Sequence, residues 1–288
     1  MSKLVSIVIP TYKRVDSLNR AIKSCLNQTY TNIEIIVVDD NGVGTPFNIE
    51  VNKIINSYSD KRIKYLEHVH NKNGAAARNT GIKSSKGDYI CFLDDDDYFM
   101  DDKILKQLDY LEKNSAFDGV SCGVIKNGAT ILDNKTGNLV KDLLLMNTKL
   151  FTTTLFFRAE VFKRISGFDV TFRRHQDYEL LIRFFQYYKM GYVCEPLVFL
   201  GTNSGENMLK GENLEKMKAH FIEVFKYDIE KFGPEFKHKC LCKHYSYLFL
   251  NHAKNLQIKY TIINFFRCIS LSPRHFVQFT VQRLKLKL

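Results

Sequence analysis

The sequence predicts an α/β fold, a mainly parallel, Rossmann-like sheet flanked by helices on both faces and followed by a C-terminal helical extension. Three observations predict it. Short β-rich runs alternate with helical patterns over residues 4–113, which is the signature of repeated βαβ units. The strand runs are close to continuously apolar, as in Ile33-Glu-Ile-Ile-Val-Val38, and a strand needs that character only when both its faces are covered. Beyond Gly205 nearly every segment reads as helix.

In chain order, residues 4–9 form the first strand. A helix from about Asp16 places Leu18, Ile22, Cys25 and Leu26 on one face, with Asp16 or Ser17 positioned to cap its first turn. Strands at 33–38, 63–66 and 89–93 then alternate with helices near 49–57, 75–85 and 102–113, the second of these closed by Gly87. After Ala116 the alternation loosens into strands at 119–125 and 152–157, a helix at 177–189 and a strand at 192–200. The expected division is a catalytic domain over 1–205 and a basic helical extension over 206–288.

With 288 residues, 45% hydrophobic and 25% charged, the chain can bury one large core, which argues against disorder. No apolar run approaches the ~20 residues of a membrane-spanning helix and the N-terminus carries no cleavable signal pattern, so a cytoplasmic protein is expected. Seven cysteines, an odd number, sit in apolar segments such as Tyr89-Ile-Cys91-Phe-Leu93, which favours buried thiols over a disulfide framework. The run His238-Lys-Cys240-Leu-Cys242-Lys-His244 has spacing suited to chelation on a strand, but the surrounding pattern is helical, where neighbours two apart diverge. The net charge of +11 is concentrated: residues 231–288 hold 11 Lys or Arg against the single acid Glu235. Such a segment attracts nucleic acid or an anionic membrane surface.

Ligands of open α/β sheets bind at the carboxyl ends of the strands. Two of those ends are acidic: Asp39-Asp40 after Val38, and Asp94-Asp95-Asp96-Asp97 after Leu93. Like charges crowded beside an apolar core must take up protons or share a cation, and a hard ion such as Mg²⁺ or Mn²⁺ resolves the conflict. Asp97 and Asp101 are as readily assigned to capping the helix near 102 or to facing water. The chain contains neither G-x-x-x-x-G-K-[ST] nor a G-x-G-x-x-G after a strand, so a diphosphate would have to be neutralised by metal.

These blocks resemble the inverting family 2 glycosyltransferases with the GT-A fold. Val5-Ser-Ile-Val-Ile-Pro-Thr-Tyr12 with Lys13-Arg14 is similar to the family's opening strand, and the run from Leu26 to Asp40 to its second. Residues 73–82 and 87–97 are similar to its third and fourth segments, in order and spacing. The resemblance implies that Pro10, Tyr12 and Asp40 line a nucleotide-base pocket with Arg14 nearby, and that Arg78 lies near the nucleotide or its phosphates. Asp94 to Asp96 would be the D-x-D element, Asp95 reaching the ribose and Asp96 ligating Mn²⁺ or Mg²⁺. More loosely, residues 162–169 and 175–183 match the acceptor half; Asp177 falls on the catalytic base, with Glu179 and Arg183 as supports and Asp169 and His175 as loop residues. Gln176 stands where the family has an acid, and a late-loop His finds no match in residues 198–208, where Asn203 is the stand-in. The activity implied by the resemblance is hexosyl or N-acetylhexosaminyl transfer from a nucleoside-diphosphate sugar, UDP-linked, to a glycan or glycolipid acceptor, a lipid-linked bacterial surface polysaccharide of the capsule or lipopolysaccharide kind. The resemblance covers about residues 4–205.

In the extension, Val277, Val281, Leu284 and Leu288 recur at helical spacing beside Phe276, with Arg274, Gln278, Gln282 and Lys285 on other faces. This amphipathic basic helix is expected to meet an anionic membrane, making the protein peripheral on the inner face of the plasma membrane. Two other classes compete with this reading. Nucleic-acid binding would use the basic tail with Tyr245, Tyr247, Phe249, Phe265 and Phe266, but those aromatics sit in apolar helical runs that predict core packing, and no nucleic-acid partner is expected. Nucleotidyl transfer to a sugar phosphate usually begins with a glycine-rich basic loop, and Pro10-Thr-Tyr-Lys-Arg14 has no glycine.

Overall fold

The computed structural model describes residues 2–172, 174–201 and 209–285. In chain order the elements are β1 (Val5–Thr11), α1 (Val15–Leu26), β2 (Ile33–Asp39), α2 (Pro46–Asn56), β3 (Ile63–Glu67), α3 (Gly74–Ser84), β4 (Tyr89–Phe92), β5 (Tyr98–Phe99) and α4 (Lys103–Lys113). They continue with β6 (Gly119–Lys126), β7 (Ala129–Ile131), α5 (Val140–Leu144), a 3₁₀ turn (Thr152–Thr154), β8 (Phe156–Arg158), α6 (Val161–Ile165), α7 (Gln176–Phe184) and β9 (Met190–Leu200). The last helices are α8 (Gly211–Val224), α9 (Lys226–Glu230), α10 (Pro234–Lys254), α11 (Ile258–Leu271) and α12 (Pro273–Lys285).

The chain divides into two compact units, Met1–Val140 with Thr148–Ser204, and Lys141–Asn147 with Gly205–Leu288. The second takes in Lys141–Asn147, a segment expected from the sequence to belong to the first domain.

In the first unit one sheet runs β3-β2-β1-β4-β8-β6-β9-β5, with β7 on β6. β1 pairs in parallel with β2 and β4, and β2 with β3. The later part is mixed: β8 is antiparallel to β4 and β6, and β5 to β9, while β6 and β9 are parallel. The core follows from composition. Val5, Ile7, Ile9, Ile35 and Val37 are fully buried, as are Leu18, Ala21, Ile22 and Cys25 of α1. Burying each large aliphatic side chain contributes about 1.5–3 kcal/mol, which works against the ordering of the strand backbones.

α1 begins one residue before Asp16, with Arg14 at its N-cap position, and neither Asp16 nor Ser17 caps it. α3 stops at Ser84, before Gly87; that glycine is required because a Cβ there would lie 2.6 Å from Ser6 Oγ. α7 ends at Phe184, five residues short of expectation, and residues 152–155 are a turn where strand was expected.

Gly81 lets α3 lie against β1. A Cβ at this position would meet Val8 Cγ1 at 2.2 Å, and Val8 is fully buried and β-branched, so it has little room to yield. Gly81→Ala is expected to cost about 1–3 kcal/mol in urea unfolding. An unchanged midpoint would mean α3 slides to accommodate the methyl.

The second unit packs Cys242 of α10, Cys268 of α11, and Phe276 and Phe279 of α12. Within α10, Cys240 and His244 both reach the Leu144 carbonyl, at 3.3 and 2.9 Å, whereas Cys242 turns to the Ser272 carbonyl at 3.6 Å. Cys240, Cys242 and His244 therefore divide between two backbone carbonyls. α12 buries Phe276 and Phe279 and leaves Val277 and Val281 exposed, so the valines, expected with Phe276 on one apolar face, form a second one. Phe249 and Phe265 pack on Phe276 at 5.2 and 5.7 Å as expected, Phe265 staying partly exposed, but Phe266 is mostly exposed, against the expected core packing. Leu288 lies outside the described residues. Among the described residues no helix is long and apolar enough to cross a membrane.

Candidate active site

The parallel register brings the carboxyl ends of β1, β2 and β4 to one edge, pairing Thr11 with Asp39 and Val8 with Phe92. From β1 the chain moves outward to β2 and β3, then returns to the opposite side of β1 as β4. A crevice opens at such a switch point. The acidic run leaves β4 there, tightened by a backbone bond from Asp97 N to the Asp94 carbonyl at 3.0 Å.

Its four side chains take different partners. Asp94 receives Arg78 Nη2 at 2.5 Å. Asp95 is buried, accepts the Tyr12 backbone N–H at 3.2 Å, and lies 3.4 Å from Arg14 Nη1. The same Arg14 nitrogen is 2.5 Å from Asp96, whose carbonyl accepts from Arg20 at 2.7 Å. Burial pushes Asp95 up to about 7 and raises Asp96 as well, with Arg14 opposing both. Asp97 neither caps a helix nor faces water. It is buried and accepts Thr153 Oγ1 at 2.6 Å and the Gly201 N–H at 2.8 Å, tying the 3₁₀ turn to the end of β9. Burial and the charge of Asp94 raise its pKa also. Asp101 is exposed, and Asp102 occupies the N-cap position of α4 without a side-chain cap bond.

The residues expected to line a base pocket flank this run. Pro10 ends the buried stretch of β1, and Tyr12 follows, 43% exposed with an open ring face that Lys13 Nζ approaches at 5.0 Å. Asp40 is buried, with Oδ1 accepting His68 Nδ1 at 2.7 Å and the Lys72 N–H at 2.8 Å, and Oδ2 accepting Asn71 at 2.8 Å. His68 Nε2 rests 2.8 Å from Thr80 Oγ1. The neighbouring Asp39 turns the other way, into a network with Asn41, Asn48 and Tyr65. Sequence reasoning missed His68 and Asn71, although both follow β3 and the rule about strand ends pointed at them.

Arg78 joins the two halves. From α3 it holds Asp94 with one nitrogen and donates another to Gln176 Oε1 at 2.9 Å, and its guanidinium lies 5.5 Å from the Phe168 ring centre. Gln176 is the residue where an acid was expected; as a neutral acceptor it binds Arg78 without drawing it away from Asp94. Asp177 follows in the first turn of α7, bonded to the Tyr178 N–H at 3.0 Å. Burial raises it to about 6, partly offset by Arg78. Glu179 is buried and paired with Arg183, whose guanidinium also donates to the carbonyls of Ile165 and Gly167, at 2.7 Å for Gly167. The pair therefore fixes the approach from α6 to α7. Asn79 bonds both backbone groups of Phe168, at 2.7 and 2.8 Å, and docks that approach on α3. Asp169 accepts from Thr171 and His175 begins α7 with φ of 57°; both are loop residues. Asn203 lies outside the described residues.

The acidic run suits a hard divalent ion. Its donors are oxygens, three of its carboxylates, Asp95, Asp96 and Asp97, are raised by burial, and Arg14 is the cation set between the first two. Among the described residues no three His, Cys, Asp or Glu side chains converge as a ligand cage, so the protein would supply one or two carboxylates and leave the remaining positions to phosphate and water.

Comparison with known proteins agrees with this layout. An uncharacterized glycosyltransferase of Rickettsia prowazekii is 33% identical over 243 residues, 77% of this chain and 72% of its own. The Escherichia coli UDP-Glc:alpha-D-GlcNAc-diphosphoundecaprenol beta-1,3-glucosyltransferase WfaP is 40% identical over 115 residues, 40% of this chain and 44% of its own. The chain spans less than half the length of the first curated relatives it matches. Among solved structures, Staphylococcus aureus TarS 1–349 in complex with UDP-GlcNAc superposes with a TM-score of 0.67 over 96% of this chain and 84% of that one, at 16% identity, which identifies the shared GT-A fold. The family model for glycosyl transferase family 2 matches residues 6–190, a span that begins in β1 and ends where β9 starts. A run of acids at a switch point, bridged by one arginine to Gln176 at the start of α7, thus sits on a matching sequence and a matching fold, and the chain belongs to glycosyl transferase family 2.

Proposed function

We propose that the chain transfers a hexosyl or N-acetylhexosaminyl group from a UDP-sugar to a lipid-linked glycan with inversion at the anomeric carbon. The observation that carries this is the Arg78 bridge, which sets the acidic crevice beside the helix start bearing Asp177. The base lies against Tyr12 with Asp40 accepting its N–H, oriented by His68 and Asn71; Pro10 and Arg14 border it. Asp95 takes the ribose and Arg78 the diphosphate. Asp96 would hold Mn²⁺ or Mg²⁺, which would supply charge stabilisation for the departing diphosphate.

Asp177, ionised above about pH 6, removes the proton of the acceptor hydroxyl as that oxygen attacks the anomeric carbon opposite the leaving group. Glu179 and Arg183 hold α7 in place so that the carboxylate does not swing. WfaP, a glucosyltransferase by name on a diphosphoundecaprenol-linked GlcNAc, and the TarS complex with UDP-GlcNAc support a UDP donor and a lipid-carried acceptor. The basic second unit would keep the enzyme peripheral on the cytoplasmic face of an anionic membrane, where such acceptors lie.

Calorimetry of UDP binding with and without Mn²⁺ tests the reading. Binding that requires the metal is expected. Absence of binding by UDP and by other nucleoside diphosphates, with metal present, would refute it.

A further inference from the structure

The face of α11 that points away from its own unit is apolar. Ile258, Ile262, Phe266 and Ile269 recur at intervals of four, four and three, which on a helix is a single stripe, with Phe265 at its edge packed inward on Phe249 and Phe276, while Asn264 and Cys268 are buried on the opposite side. Ile258 is 71% and Phe266 64% exposed, and Leu256 in the preceding turn is 85% exposed. A solvated helix face ordinarily carries charge, so a row of isoleucine and phenylalanine in water is a surface awaiting a partner. Beside it α12 exposes Val277 and Val281.

The charges around these faces identify the partner. Lys254 at the end of α10, Lys259 of α11 and Arg274 and Arg283 of α12 are exposed, and no acidic residue occurs after Glu235. A second copy of the chain would bring the same positive surround against itself. A nucleic acid would meet the lysines but leave the isoleucines wet. Only a surface that is negative at the outside and hydrocarbon just beneath satisfies both sets of residues.

We propose that the outward stripe of α11 inserts into the headgroup–acyl boundary of an anionic bilayer, with the flanking Lys and Arg residues on the phosphates. This rests on the reading of the basic tail as membrane-facing. It adds the element that enters the lipid, and it shifts that role from α12, where the sequence pattern placed it, to α11. The interaction then has two separable parts: adsorption through charge, which salt screens, and insertion through Ile262 and Phe266, which salt leaves largely intact.

The chain has no tryptophan, so Phe266→Trp introduces a single reporter at the stripe. Sedimentation with vesicles of phosphatidylcholine, alone or mixed with phosphatidylglycerol, is measured together with emission of that variant. The expected result is co-sedimentation with the mixed vesicles, a blue-shifted emission from the introduced indole, and at least about tenfold weaker partitioning for Ile262→Glu/Phe266→Glu whose thermal unfolding is unchanged. Co-sedimentation with no blue shift and no effect of the glutamates would overturn the insertion face while leaving charge-driven adsorption standing. Failure of the natural chain to sediment with either vesicle would overturn both. A blue shift that appears without lipid and grows with protein concentration would overturn the proposal in favour of self-association.

Discussion

Asp177→Asn is expected to lower kcat by about 10²–10⁴ while leaving UDP affinity within a factor of about two, because a positioned base acts in the proton transfer and takes no part in holding the nucleotide. Burial makes this carboxylate a stronger base than one in water, raising it to about 6, and Arg78 stops the rise from going further. In the proposed reaction the ionised form is the active one, so kcat/KM should climb as pH passes up through about 6 and level above it, and the variant should lose that limb. Initial rates against pH, with UDP release as readout, check both statements. A variant that keeps wild-type kcat would remove Asp177 from the chemistry and return it to a helix-start role.

The second large effect is expected at Asp96. Asn keeps the shape and removes the charge, so Mn²⁺-dependent UDP binding should disappear and kcat fall by at least about 10², given the several kcal/mol a metal contributes to leaving-group charge. Stability offers an independent readout. Asp95 stays protonated to about pH 7 when folded and releases its proton near pH 4 when unfolded, so between those values the folded state binds more protons and stability falls as pH rises. An ion that binds the ionised, folded cluster reverses this trend. Mn²⁺ should therefore raise Tm more above about pH 7 than at pH 5, and Asp96→Asn should show no such gain. An equal rise in Tm for both proteins would place the ion elsewhere.

The strands and the crevice were legible because their signals are local. A β-branched apolar run followed by carboxylates needs no partner to be recognised, and β1, β2 and β4 begin and end within one or two residues of expectation. Other features depended on groups distant in sequence. Thr152–Thr154 read as strand from β-branching, yet the hydroxyl of Thr153 is drawn to Asp97 and that of Thr154 to the Phe151 carbonyl at 2.7 Å, which makes a turn. Asp97 looked like a spare carboxylate for the same reason. Periodicity in the tail identified an amphipathic helix but could not say which of two apolar faces is covered. Packing of Phe276 and Phe279 decided it for α12. The antiparallel insertion of β8 between β4 and β6 leaves no mark on either strand's composition.

The bridge from Arg78 to Gln176 has a consequence for recombining this enzyme with its relatives. On the proposed function the segment to about residue 115 would carry the donor side and the remainder of the first unit, with Asp177, the acceptor side, so exchanging the second segment would be the way to alter acceptor choice. The junction is held by Arg78 on Gln176 and by Asn79 on Phe168, backed by Gly167, where a Cβ would lie 2.4 Å from Asn79 Oδ1. A grafted segment with an acid in place of Gln176 would compete with Asp94 for the arginine, and one with any side chain at 167, where φ is 79°, would be strained and would displace the Asn79 side chain from Phe168. Chimeras should be chosen by the match at positions 78, 79, 167 and 176 before overall identity is considered.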